Sequence, residues 1–235
     1  FYAIYIDDSD GHVEKNTFIN IFYPIYITNI TIDNTSIEVH VNIFKNCNYG
    51  PVIVGPITIL NFRFVFNSNI FIDVNMPIYI HDGIIGTGEI NGNDLLGDGT
   101  GTGIYLTDVN SVDVMSNKIV NFNIGMYVTG SSGIIKDNIS RGNVLQGFQL
   151  GDSYFLAENN VLLDNGNVGI WLSGDGSYTL NRNEIANNTT ADMNYSTFTG
   201  TITASFNNVS TFIGGSSGAI GSYNVNAAGM PIVMP

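Results

Sequence analysis

The sequence predicts an all-β solenoid, a single-stranded parallel β-helix with about 22 residues per coil. Three observations carry that reading. Four glycines, Gly103, Gly125, Gly147 and Gly169, recur every 22 residues and open the phrases GIYL, GMYV, GFQL and GIWL. No unit of that length holds the i, i+3, i+4, i+7 apolar spacing of a helix. Short alternating runs take its place: Ile4-Tyr5-Ile6, Ile25-Tyr26-Ile27, Ile78-Tyr79-Ile80 and Ile104-Tyr105-Leu106 are rich in strand-favouring residues and are broken by Gly, Asn, Asp and Ser. Leucine-rich repeats have a similar length but show a dense leucine comb, which this chain lacks.

The second half of the unit repeats as well. Val114, Asn117 and Ile119 line up with Leu156, Asn159 and Val161, and with Leu180, Asn183 and Ile185. The intervening copy keeps Ile135 and Asn138 but has Ser140 at the apolar position, and a distant echo stands at Val13, Asn16 and Phe18. Asn117, Asn138, Asn159 and Asn183 are therefore expected at turns or in ladders. Asparagine tolerates left-handed backbone, and amides stacked from coil to coil bond along the axis.

These residues resemble the pectin-lyase-like superfamily of right-handed parallel β-helices, in particular surface and periplasmic proteins built from short β-helix repeats. The resemblance runs over roughly residues 1–188, is strongest over 103–188, and implies a right-handed coil. The phrase IIGTGEINGN (84–93) resembles an early coil of polygalacturonase-like hydrolases and phage tailspikes, where it is a structural turn. The Asn-Thr-Asp, Asp-Asp, Gly-His-Gly and Arg-x-Lys signatures of those hydrolases are missing.

Divided by the period, residues 1–188 make about eight coils, a rod on the order of 40 Å long. Residues 81–103 read as a glycine-rich insertion. Residues 189–235, whose sole charge is Asp192, read as a cap or assembly segment in which Phe198, Phe206, Phe212, Ile213, Ile220 and Val225 need burial.

Charged residues make up 11% of the chain against roughly 25% in a typical soluble protein. The net charge of −13 argues against nucleic acid and anionic membranes, and no apolar run is long enough for a membrane helix, so no membrane insertion is expected. Cys47 is alone, which excludes an intramolecular disulfide framework and fits a small buried residue. Seven Asn-x-Ser/Thr sequons, at Asn29, Asn34, Asn138, Asn187, Asn188, Asn194 and Asn208, permit an extracellular glycoprotein.

The chemistry available is thin. Asp82, Asp94, Asp98, Asp108 and Asp113 are candidates for the two carboxyls of a glycosidase, with solvated turn aspartates as the plainer reading. Arg141 and Arg182 stand nearly two coils apart, a spacing that places them on one face for a lyase, although pairing with Asp137 or Glu184 is the more ordinary fate. DDSDGH (7–12) lacks the full EF-hand series, leaving Asp7, Asp8 and Asp10 as weak Ca²⁺ ligands; no other cofactor is expected. His12, His40 and His81 are far apart, and no His/Cys cluster has transition-metal spacing. Tyr105, Tyr127, Gln149 and Trp171 share the position two after the repeat glycine, and alternation with Ile104 and Leu106 turns Tyr105 outward, giving a stripe for a glycan or another subunit.

The function expected is a non-catalytic extracellular or cell-surface assembly protein, adhesin-like or a sheath or filament subunit, that self-associates. A polysaccharide lyase or glycoside hydrolase, such as a tailspike-like depolymerase, is the alternative.

Overall fold

The computed structural model describes residues 2–57, 59, 61–205 and 207–214. The chain winds as an all-β right-handed solenoid of about 9 turns, about 24 residues apart, and no helix is present among the described residues. Each coil contributes one strand to each of three sheets. Sheet A has ten strands, from Tyr2–Asp7 to Phe212–Ile213; sheet B has nine, from Gly11–Glu14 to Thr201–Ser205; sheet C has nine, from Thr17–Ile19 to Asn208–Val209. Within a sheet the strands follow chain order and pair in parallel, so every coil rests on the one before and carries the one after.

Period-two alternation decides what lies inside. In sheet A, Ile25 and Ile27, Ile78 and Ile80, Ile104 and Leu106, and Ile170 and Leu172 are buried, and the residues between them face out. From sheet C, Phe18, Phe44 and Phe71 form an internal column with ring centroids 5.0 and 4.8 Å apart and nearly parallel planes. Cys47 is buried, and burial pushes its thiol above the ordinary value.

The corner from sheet B to sheet C is fastened by an asparagine ladder. Asn16, Asn42, Asn69, Asn93, Asn117, Asn138, Asn160, Asn183 and Asn207 stand one above another. Each, up to Asn183, donates from its side-chain amide and its backbone N–H to Oδ1 of the asparagine in the next coil. The second amide hydrogen goes to a carbonyl of the preceding coil, as from Asn117 to Ile90 and from Asn138 to Val114. The buried amides thereby leave no donor idle.

Three expectations are corrected. The seventh coil aligns one residue later than expected: its ladder residue is Asn160, while Asn159 takes the turn role of the two expected for it, with φ of 54°. Its register follows: Ala157 and Leu162, not Leu156 and Val161, align inward with Leu180 and Ile185. Both strands carry adjacent apolar residues and the turn carries adjacent asparagines, so the two registers look alike in sequence. The expected coil of about 22 residues agrees with turns about 24 residues apart, and successive ladder asparagines lie 21 to 27 residues apart. The slack sits between sheets A and B, where the connection shrinks from residues 29–35 to 82–86, 108–111 and finally 130–131. Segment 81–103 is an ordinary coil with strands Thr87–Asn91 and Asp94–Leu96 in register on both sides, not an insertion. The solenoid also passes residue 188: Ala191–Phe198, Thr201–Ser205 and Asn208–Val209 form a further coil with Phe198 in the core and Phe212 packed against it. Phe206, Ile220 and Val225 lie outside the described residues.

The four repeat glycines sit where the chain enters sheet A. A Cβ on Gly103 would lie 2.6 Å from the Gly125 carbonyl oxygen, and one on Gly147 2.7 Å from that of Gly169. Close approach between coils, rather than unusual φ, fixes the repeat.

Candidate functional site

The outer faces of the three sheets differ, and each has a separate chemical character.

Sheet A carries aromatics. The row Tyr5, Tyr26, Val52, Tyr79, Tyr105, Tyr127, Gln149 and Trp171 runs in register along eight coils, so the stripe expected from Tyr105, Tyr127, Gln149 and Trp171 extends to the first strand. Tyr79, Tyr105 and Tyr127 stack with centroids 4.8 and 5.0 Å apart and planes within 19° and 11°. Rings stacked this way cover one another's faces and offer mainly their edges. The row is interrupted at Val52, where a cleft of about 170 Å³ opens between Tyr23, Tyr26, Tyr49, Tyr79 and His81. Burial, then the neighbouring Tyr105 and Tyr49, push the Tyr79 hydroxyl up to about 12, so it keeps its proton at neutral pH.

Sheet B is the polar face. Arg63 reaches Glu38 and Glu89, each at 3.5 Å, and Glu158 is held by Arg182 at 3.1 Å and Lys136 at 3.4 Å. Asp113 is the register neighbour of Glu89, and burial followed by the charge of Glu89 raises its carboxyl above the ordinary value. At the N-terminal end His12, Glu14, Glu38 and His40 meet, with His12 Nε2 and His40 Nε2 3.1 Å apart. Coil stacking thus makes neighbours of two histidines that linear spacing keeps 28 residues apart.

Sheet C is apolar outside. Ile43, Ile70, Leu96 and Ile139 are exposed, and a shallow groove of about 290 Å³ runs along Ile70, Ile72, Leu96 and Val120, with Asp94, Lys118 and Arg141 beside it.

The five aspartates proposed for chemistry are dispersed. Asp82 and Asp108 take left-handed turn positions after successive sheet A strands, and Asp82 Oδ1 lies 2.7 Å from His81 Nδ1. Asp94 is on sheet C beside Lys118, and Asp98 accepts from the hydroxyl and amide of Thr100 in its own turn. Asp113 is on sheet B, where its carboxyl neighbour is Glu89, a residue the sequence reading did not select. Arg141 lies on sheet C and Arg182 at the turn after a sheet B strand, paired with Glu158 rather than Glu184, so the two arginines do not share a face.

Asp7, Asp8 and Asp10 turn to different partners in the next coil: Asp7 accepts from the Asn29 side chain, Asp8 from Thr31 and the Ile32 amide, and Asp10 from the Ser36 amide. Those bonds, led by the Thr31 amide, hold the Asp8 carboxyl below its ordinary value. Of the seven sequons, Asn138 and Asn188 are buried within hydrogen-bonded ladders.

No match to the chain was found among curated proteins or among solved structures. A family profile described as a right-handed β-helix region matches residues 30–190. That match covers most of the chain, agrees with the parallel three-sheet solenoid and its asparagine ladder, and shows that the chain belongs to the right-handed β-helix family.

Proposed function

We propose that the chain is a non-catalytic, extracellular or cell-surface β-solenoid that assembles with copies of itself through the outer face of sheet C. The observation that carries this reading is the outer strip of exposed Ile43, Ile70, Leu96 and Ile139 together with the half-buried Ile72 and Val120. A soluble monomer rarely leaves so continuous an apolar face bare. The charge of this face is compatible with a second copy as the occupant. The whole chain has a net charge of −13, yet the strands of sheet C carry Lys45, Lys118 and Arg141 against Asp94 and Glu184. Asp94 and Lys118 are register neighbours at the groove, so a two-fold pairing sets each against its opposite. Dispersal of the candidate acids supports a mechanical role over a catalytic one.

The test is sedimentation velocity and negative-stain electron microscopy of the tag-free chain and of Leu96→Glu. Wild type forms dimers or longer assemblies, and the variant sediments as a monomer with unchanged circular dichroism. A wild type that stays monomeric at high micromolar concentration defeats the reading. A second reading, hydrolysis or lysis of a polysaccharide, rests on the Glu89–Asp113 neighbours, one carboxyl raised and the other held by Arg63, Asn67 and Asn91. Release of reducing ends or unsaturated products that disappears in Asp113→Asn would favour it.

A further inference from the structure

Two short phrases on the first two coils mirror each other: His-Val-Glu at 12–14 and Glu-Val-His at 38–40. Parallel register sets His12 against Glu38 and Glu14 against His40, with Val13 and Val39 buried between them, so four ligating side chains leave one face of sheet B together. His12 Nε2, His40 Nε2 and Glu14 Oε2 form a triangle with sides of 3.1, 3.6 and 3.7 Å. A point equidistant from those three atoms lies about 2.0 Å from each, which is the length of zinc bonds to imidazole nitrogen and carboxylate oxygen.

The surrounding groups orient the same atoms. Glu38 Oε2 stands 3.4 Å from His12 Nδ1, where it draws the ring proton to that side and frees the Nε2 lone pair. Glu38 is itself held through its other oxygen by Arg63 at 3.5 Å. Lys15 takes Glu14 Oε1 at 2.9 Å, leaving Oε2 toward the histidines. His12 is exposed, so the fourth direction opens to water.

We propose that His12, Glu14 and His40 bind a divalent transition-metal ion of the zinc type, with Glu38 orienting His12, and that the ion fastens the first coil to the second. Nothing in this depends on the assembly reading. The ligand set is two imidazoles and a carboxylate, which suits Zn²⁺ and disfavours the oxygen-seeking Ca²⁺.

The experiment titrates Zn²⁺ into the chelator-stripped chain by calorimetry and follows thermal unfolding in parallel. One ion binds per chain and raises the unfolding temperature. His12→Ala and His40→Ala abolish both effects. Glu38→Gln weakens binding about 10–100-fold, as loss of an orienting carboxylate does. His81→Ala, on sheet A, leaves both unchanged. All the altered side chains face outward, so circular dichroism of each variant matches wild type. Absence of saturable binding below millimolar Zn²⁺, or binding that survives both His12→Ala and His40→Ala, overturns the proposal and leaves the 3.1 Å contact as a plain hydrogen bond between two imidazoles.

Discussion

At Asn117 one side chain serves four polar groups of other residues. Its Oδ1 accepts the Asn93 backbone N–H at 3.0 Å and the Asn93 amide at 2.9 Å, while its Nδ2 donates to the Ile90 carbonyl at 2.8 Å and to Asn138 Oδ1 at 3.0 Å. All lie in the dry interior, where an unpaired group costs about 1–3 kcal/mol. Asn117→Ala is therefore expected to destabilise the fold by roughly 3 kcal/mol or more. Asn159 has the same residue type and a different job, because its φ of 54° places it in a turn. Replacing it by alanine costs about 1 kcal/mol of left-handed strain. Urea melts of the two variants separate ladder from turn; equal losses would mean that the amide stack carries no special weight. The sequence offered both asparagines to the same column, and only the register of Ala157 and Leu162 decides between Asn159 and Asn160.

One level up, a second ladder closes the corner from sheet C to sheet A, and it shows what a finite stack requires at its end. Asn143 and Asn165 donate to Oδ1 of the next asparagine, and Asn188 donates to Asp192 Oδ1 at 2.9 Å. A column in which each amide donates onward must end on an acceptor. Asp192 meets that need, taking Asn188 on one oxygen and Ser210 and the Thr211 amide on the other. Burial works against its charge, but the hydrogen bonds from Ser210 and Asn188 outweigh it and hold the carboxyl below the ordinary aspartate value. A folded value depressed below the unfolded one stabilises the fold above the ordinary value of 3.8, and that stability is lost as pH falls through the folded value. Asp192→Asn, which turns a donor toward other donors, is expected to be less stable than wild type at pH 7 and to show a shallower loss on acidification. Denaturant midpoints from neutral to strongly acid pH check this, and parallel curves would refute it. Asp192 was visible as the one charge after residue 188, and Asn143, Asn165 and Asn188 recur at 22 and 23 residues. Among 32 asparagines a second column does not stand out, whereas alternation around Ile104, Tyr105 and Leu106 does, because strand period and burial coincide there. The His12–His40 contact was hidden for another reason: it joins two of the coils whose spacing departs most from 22 residues.

For the whole molecule, charge and shape pull in different directions. Two copies bearing −13 each repel at long range, while in the assembly proposed above the sheet C face would bring apolar surface and a balanced Asp94–Lys118 pair into contact. The repulsion extends about 30 Å at 0.01 M salt and about 8 Å at physiological salt. The apolar contact is not screened at all. Raising sodium chloride from low to physiological ionic strength is therefore expected to tighten self-association, on the order of tenfold, before any change in secondary structure. Sedimentation equilibrium across that range reads the effect directly. Weakening with salt would instead make the charged pairs at the groove the source of affinity, and charge reversal at Lys118 would then disrupt assembly more than Leu96→Glu. Under the expected outcome the order is opposite, with Leu96→Glu the more damaging change, because burying its carboxylate against the partner's isoleucines costs more than the loss of an exposed ion pair.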